Sequence, residues 1–427
     1  MEIYENNRFY WSIKGSPIMP VGATDTDHLF QWEDDRLEDH LDELVEVGGN
    51  YVRNTMSDRD EECLKPFKQV NGMYDLNKWN KEYWRRFENF LEQTKKRDII
   101  VQIELWDGHD MKGELWQKSP YNPEMNVNYD ASEIQVDQDL SLGDPFWHTH
   151  PFYLAPPNLN NYPKLLKYQK KFIRKIIEVS SEYDHVLYTI CNECSMPQEF
   201  SNYWAEFIKE EADSKGEKIF VSDMRINGTS LPILEYSNLY DFSDISQIGT
   251  FAGQHHYELV LGNRKRLEEN PSPMNVVKQY GSDEDKVPMT VSEDEAVKRF
   301  WRCIMGGCAS FRFHRPKNFG IGLNERAKNM IKSLRKLQEE FNIFQSKPRE
   351  DIYKESDVDE AYGLKTEDQN AIYFTDGGRV TLNTDSSKTT VRWLNIENSE
   401  WENKETKNES EIEIETPKRG QWIALVR

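Results

Sequence analysis

The chain has 427 residues, among them 12 Trp, 20 Tyr and 20 Phe, and a net charge of −21 from 54 Lys and Arg against 75 Asp and Glu. That length allows one large domain with a sizeable core plus a smaller one, and the aromatics suit either a large core or contact with sugars. The negative field argues against nucleic acid and anionic membranes as partners, and no stretch approaches the ~20 apolar residues of a bilayer span.

The N-terminal run "MEIYENNRFYW" lacks the basic end and apolar stretch of a signal peptide, which points to the cytoplasm. The alternative is a secreted or periplasmic protein whose leader has been removed. Five cysteines, an odd number, do not resemble a disulfide framework in so long a chain.

In chain order, "SPIMPVGAT" reads as a strand and "RLEDHLDELVEVGG" as an amphipathic helix closed by glycine. "NYVRNTM", "DIIVQIELW" and "HVLYTICNE" read as the next three strands. The helices "NKEYWRRFENFLEQTKKR" and "LLKYQKKFIRKIIEVSSEY" lie between them. The alternation continues with "KIFVSDM", "DISQIGTF", "VPMTVSE" and "CASFRFH" as fifth to eighth strands. Eight strand–helix units without a glycine-rich phosphate turn after the first strand predict an α/β fold, a (β/α)₈ TIM barrel, over residues 1–348. From 349 to 427 the pattern changes to short alternating runs between Gly, Asp, Asn and Pro turns, which predicts a small all-β sandwich domain.

The segment from Asp107 to Tyr162 is long for a barrel loop and carries Trp116, Tyr121, Phe146, Trp147 and Tyr153. Loops of this length are often functional, so Trp116 and Trp147 are candidate platforms for a sugar ring. The alternative is an ordered excursion that the same aromatics anchor to the barrel.

"YTICNECSM" offers two chemistries, that of Cys191 and Cys194 or that of Glu193. A closed zinc site needs two further ligands, and Cys303 and Cys308 fall on helix and strand positions that do not converge on a fourth strand end. Buried thiols acting as small hydrophobes account for them better, with no metal and no cofactor. Glu193 instead ends an apolar strand, on the face where barrels carry active sites. Glu293 ends "VPMTV" in the same way. Retaining glycosidases need two carboxyls about 5 Å apart, one as acid and one as nucleophile. The structural alternative is that each Glu caps the helix after it.

Asn-Glu ending a fourth strand and a lone Glu ending a seventh resemble clan A of the glycoside hydrolases, retaining (β/α)₈ enzymes. "NRFYWSIKGSPIMPVGATDTDHLF", "GGNYVRNTM" and "HPFYLAPPNLNNYPKLLKYQKKFIRKIIEVSSEYDHVLYTICNE" look like the opening and central stretches of the apiosidase-like and cellulase-like barrels. "IYFTDGGRVTLN", "VRWLNIENSEW" and "GQWIALVR" resemble the β-sandwich that such proteins append, sometimes labelled a collagen-binding domain.

The resemblance implies Glu193 as general acid/base and Glu293 as nucleophile. It implies Asn192 on the hydroxyl beside the anomeric carbon and Arg53 beside the nucleophile, holding it ionised. "GQHHYEL" looks like the clan's His-x-Tyr segment, which places His255 or His256, with Tyr257, in the cleft. Trp106 at the end of the third strand is a further candidate for substrate contact. Where the clan has a tryptophan after the eighth strand, "SFRFHRP" offers Phe313 or His314. Asp294 and Glu295 are rival carboxylates to Glu293.

The expected function is a retaining glycoside hydrolase with a plant or microbial carbohydrate as substrate. The alternative is a non-catalytic carbohydrate-binding or scaffold protein on the same barrel. A zinc hydrolase would need an HExxH motif or clustered histidines, and the chain has neither.

Overall fold

The computed structural model describes the chain except residues 34, 59, 61, 112, 135–149, 284–291, 317, 350–352, 355–360, 384–387 and 409–410. The chain divides into two compact units. One comprises Met1–Thr26, Glu43–Val52 and Ile245–Arg427, the other Asp27–Asp42 and Arg53–Asp244.

Along the chain, strands and long helices alternate. They are β1 (Val21–Ala23), α1 (Asp35–Glu46), β2 (Tyr51–Thr55), α2 (Lys81–Lys96), β3 (Ile100–Asp107), α3 (Pro163–Ser180), β4 (Val186–Asn192), α4 (Gln198–Asp213) and β5 (Val221–Ser222). Then follow β6 (Ser243–Asp244), α5 (Gly253–Arg266), β7 (Met274–Gln279), α6 (Glu293–Met305), β8 (Ser310–Phe313) and α7 (Glu325–Glu340). A short helix, Gly113–Lys118, interrupts the long segment after β3.

Local chemistry sets these elements. The Asn80 side chain accepts a hydrogen bond from the Glu82 amide at the start of α2, and Lys95 and Lys96 complement the helix dipole at its end. Tyr83, Phe87, Phe90 and Leu91 line its buried face. α3 opens on Pro163, whose missing N–H costs nothing in a first turn.

In the Asp27–Asp244 unit, β5, β4, β3 and β2 lie side by side in that order. β3 and β4 run parallel, with Gln102 opposite Leu187 and Asp107 opposite Asn192. All eight residues of β3 are buried, as expected of a strand covered on both faces. Of the long segment before α3, the described part folds into short helical turns. There Trp116, Tyr121, Tyr129, Phe152 and Tyr153 are buried.

In the other unit, β7, β8 and β1 are parallel neighbours. Trp11 Nε1 donates to Asn275 Oδ1 at 2.9 Å beneath them. Antiparallel strands follow. Lys347–Arg349, Ala361–Lys365, Asn370–Phe374, Trp422–Val426, Thr389–Asn395 and Glu400–Lys407 are neighbours in that order, and Arg379–Asn383 pairs with Tyr353–Lys354 and Glu411–Glu415. One apolar cluster draws Ile372, Phe374, Trp393 and Trp422 from the larger sheet and Val380, Leu382, Ile412 and Ile414 from the smaller. The larger sheet rests on the helices before it. Trp301 stacks on Tyr373 with centroids 5.9 Å apart, and Ser333 Oγ donates to the Ile396 carbonyl at 3.1 Å.

Two strand expectations need correction. The seventh strand is Met274–Gln279, not "VPMTVSE"; residues 287–291 lie outside the described residues, and Ser292 and Glu293 begin a helix. The sixth is reduced to Ser243–Asp244, with a 3-10 turn over Ser246–Thr250 where "SQIGT" was expected to extend it.

Candidate active site

β2 brings Arg53 into the interior of the Asp27–Asp244 unit, where its side chain is wholly buried. Its Nε donates to Glu104 Oε1 at 2.6 Å, and Nη2 reaches Glu104 Oε2 as the second prong. Nη1 meets Asp27 Oδ1 at 2.5 Å. Burial works against the charge, but Asp27 and Glu104 outweigh it and hold the guanidinium's pKa well above its ordinary value.

The second N–H of Arg53 Nη2 reaches the end of β4. Nη2 donates to Asn192 Oδ1 at 3.0 Å, and Asn192 Nδ2 donates to Asp107 Oδ2 at 3.0 Å. Asp107 Oδ1 accepts the backbone N–H of His109 at 2.8 Å. The chain so anchored at the ends of β3 and β4 then presents Glu193. Its φ is +51°, a left-handed conformation that few non-glycine residues adopt. The Glu193 side chain is 21% exposed, and its Oε2 lies 3.3 Å from Nε2 of the half-buried His109. A fully clamped polar interior thus ends in a carboxylate that water and a ligand can reach.

The sulfurs have a different setting. Cys191 and Cys194 are free thiols, both fully buried, and burial pushes the Cys191 thiol well up. A thiol held protonated is a poor nucleophile and a poor ligand. Arg225 Nη1 donates to Cys194 Sγ at 3.1 Å and Nη2 to the Met196 carbonyl at 2.7 Å, which ties down the loop after Glu193. Among the described residues, no three His, Cys, Asp or Glu side chains are grouped so as to hold a metal ion.

The structure therefore brings Arg53, Asn192 and Glu193 together. Arg53 departs from its expected role, because its carboxylate partners are Asp27 and Glu104. Glu293 lies in the other unit and opens α6 behind Ser292, whose side chain accepts from the Glu295 amide at 3.3 Å. Its Oε2 accepts from Asn324 Nδ2 at 3.5 Å. The rivals beside it are committed elsewhere: Asp294 pairs with Lys298 and Arg326, and Glu295 with Arg302.

Most of the other candidates lie in the core, and His255 lies at the surface. His255, His256 and Tyr257 belong to α5; His255 is exposed, His256 Nε2 is buried 3.9 Å from Cys303 Sγ, and Tyr257 packs on Tyr362. His314 is buried against Arg312 and Tyr280. Trp106 packs among Phe152, Phe172 and Trp204, in the layer between strand and helices. Trp116 is buried against His150, as the anchoring alternative requires. Trp147 lies outside the described residues. Sequence reasoning missed Asp27, Glu104, Asp107 and His109. A signal for two of them was present, since "VQIELWD" sets charged residues inside and at the end of an otherwise apolar strand.

With this geometry in view, comparison with solved structures decides the fold. A glycoside hydrolase family 5 protein from Bacteroides vulgatus aligns over 100% of this chain and 92% of its own, with a TM-score of 0.71 at 12% identity. The chain has a glycoside hydrolase-like fold. A glycoside hydrolase family 5 mannosidase from Rhizomucor miehei aligns over 80% of this chain and 98% of its own, with a TM-score of 0.53 at 15% identity. A GH27 β-L-arabinopyranosidase from Geobacillus stearothermophilus aligns over 96% and 95%, with a TM-score of 0.53 at 11% identity. A family model described as a domain of unknown function, DUF6298, matches residues 67–256, a span that holds Glu104, Asp107, His109, Asn192 and Glu193. No curated protein matches the chain.

Proposed function

We propose that the protein is a retaining glycoside hydrolase acting on a plant or microbial oligosaccharide or polysaccharide, with Glu193 as general acid/base. The observation that carries this reading is the setting of Glu193. It is a partly exposed carboxylate on a left-handed residue, directly after an asparagine clamped from both sides. Such pre-organisation suits a group that must meet a leaving oxygen at a fixed place. The glycoside hydrolase-like fold supports the same reaction class but leaves the sugar open, since one fold hosts many chemistries. The proposed domain organisation is a (β/α)₈ barrel over 1–348 with a β-sandwich over 349–427.

For the nucleophile we propose Glu293; it opens α6 and does not end the seventh strand as the resemblance implied, so what supports it is the commitment of the rival carboxylates Asp294 and Glu295 to ion pairs. A second reading, a carbohydrate-binding barrel without turnover, is favoured by one observation. Glu293 stands in the first turn of a helix, where an acidic residue is already accounted for by the helix dipole.

Leaving-group dependence tests both readings. Glu193→Ala should spare glycosides with good leaving groups, lose natural substrates, and be rescued by azide attacking the glycosyl-enzyme. Glu293→Ala should lose both substrate classes, because no covalent intermediate forms. The first product, followed by NMR, should keep the anomeric configuration of the substrate. Inversion overturns the retaining mechanism, full activity of either variant overturns its role, and binding without product favours the second reading.

A further inference from the structure

The turn that follows β3, Gly108–Met111, carries an imidazole to the carboxyl of Glu193. His109 is not free to drift there. Its backbone N–H is fixed by Asp107 Oδ1 at 2.8 Å, and Asp107 Oδ2 also fixes the Asn192 amide at 3.0 Å. One carboxylate therefore sets both the residue before Glu193 and the residue that touches its side chain. The Tyr153 hydroxyl donates to the Asp107 carbonyl at 3.0 Å, which holds this corner from behind. His109 and Glu193 side chains are 35% and 21% exposed, so the contact lies at the surface of the clamped interior and not within it.

We propose that His109 is a positioning residue for Glu193. Its Nε2, hydrogen-bonded to Oε2, limits the rotamers open to the carboxyl that is to meet the glycosidic oxygen. This rests on the reading of Glu193 as acid/base. A carboxyl turns about its own Cγ–Cδ bond and about two further torsions, and each unproductive rotamer lowers the fraction of encounters in which the proton can pass. During glycosylation the proton leaves Glu193 for the departing oxygen; during deglycosylation Glu193 recovers one from the attacking water. His109 ends each turnover unchanged and touches no reacting atom. Its contribution appears only when proton transfer to the leaving group limits the rate.

The test uses the full chain as wild type, His109→Ala, His109→Gln and Glu193→Ala, on the 2,4-dinitrophenyl and unsubstituted phenyl glycosides of one sugar. Glutamine sets an amide N–H at the reach of the imidazole Nε2 and serves as the conservative variant. His109→Ala should lower kcat on the phenyl glycoside by ~10-fold or more, a fraction of the 10²–10⁴ that a general acid contributes. It should leave the dinitrophenyl glycoside and both KM values within about twofold of wild type. His109→Gln should recover most of the loss. An equal loss on both glycosides, no loss, or no recovery with glutamine overturns the positioning role while Glu193→Ala still shows the acid/base signature. The sugar is chosen from a panel of dinitrophenyl glycosides as one that wild type turns over; if wild type turns over none of the panel, or Glu193→Ala keeps full turnover of the phenyl glycoside, the acid/base reading itself fails and this inference with it. Should His109→Ala not fold, the same leaving-group ratio read on His109→Gln against wild type decides, with equal values expected.

Discussion

Arg53 and Glu104 form a two-pronged ion pair with both side chains fully buried, one on β2 and the other in the middle of β3. A pair so placed gains its Coulomb attraction at low local dielectric, yet pays desolvation for both ions. The net contribution of the intact pair is small. The penalty for removing one partner is not.

Glu104→Gln should therefore destabilise the protein by about 3–5 kcal/mol, because Arg53 keeps a charge that only Asp27 and the weaker influence of Asp107 then balance. Urea unfolding followed by tryptophan fluorescence reads the change as a lower midpoint. A loss under 1 kcal/mol would mean that the charge is solvated by routes other than Glu104.

Asp107→Ala should act on activity more than on stability. It releases the Asn192 amide and the His109 backbone together, while the Arg53 pair stays whole. Misplacement by about 1 Å can cost ~10²-fold in rate, so kcat on a phenyl glycoside should fall by that order with the melting temperature little changed. A large drop in melting temperature with kcat intact would make Asp107 a structural residue only.

His185 gives the fold an acid-sensitive point away from Glu193. Burial lowers its pKa from the usual 6.5 to about 4, and its Nε2 lies 3.1 Å from Thr94 Oγ1. The unfolded chain binds the proton first, so this group's contribution is complete above about pH 6.5 and falls as pH drops toward 4. The loss reaches about 3 kcal/mol at the acid end. His185→Gln should flatten the fall in urea midpoint between pH 6.5 and 5, above the range where most carboxylates titrate. An unchanged slope would show that the ring is solvated in the native state.

Removal of residues 349–427 should leave a chain that is insoluble or melts well below the full-length protein. It strips Tyr373 from the fully buried Trp301 and the Ile396 carbonyl from Ser333. Differential scanning fluorimetry of the truncated chain checks this. A soluble product with an unchanged melting temperature would make the C-terminal strands a passenger.

Much of the fold was legible because its signals are local. Apolar runs bounded by helices marked β1 to β5 and β8, and the shift to short alternating runs marked the antiparallel region. β7 was missed for a physical reason. In "MNVVKQ" the polar residues point into the interior, where Asn275 meets Trp11 and Gln279 Nε2 donates to Cys303 Sγ, so hydrophobicity gives no sign of a buried strand. "VPMTV" had the composition of a strand and drew the assignment instead. The site divides in the same way. Glu193 and Asn192 could be read from their strand end, whereas the partners of Arg53 depend on which distant carboxylates the sheet brings within reach, and no spacing encodes that.

The left-handed backbone at Glu193 has an evolutionary corollary. A side chain with a Cβ costs roughly 1 kcal/mol or more in that conformation, and asparagine tolerates it better than glutamate. An asparagine here would relax the turn and raise the melting temperature while removing the carboxyl proposed to handle the proton. Drift under selection for stability alone would lose glutamate at this position early. On the proposed role of Glu193, turnover and thermal robustness would pull in opposite directions at this one residue.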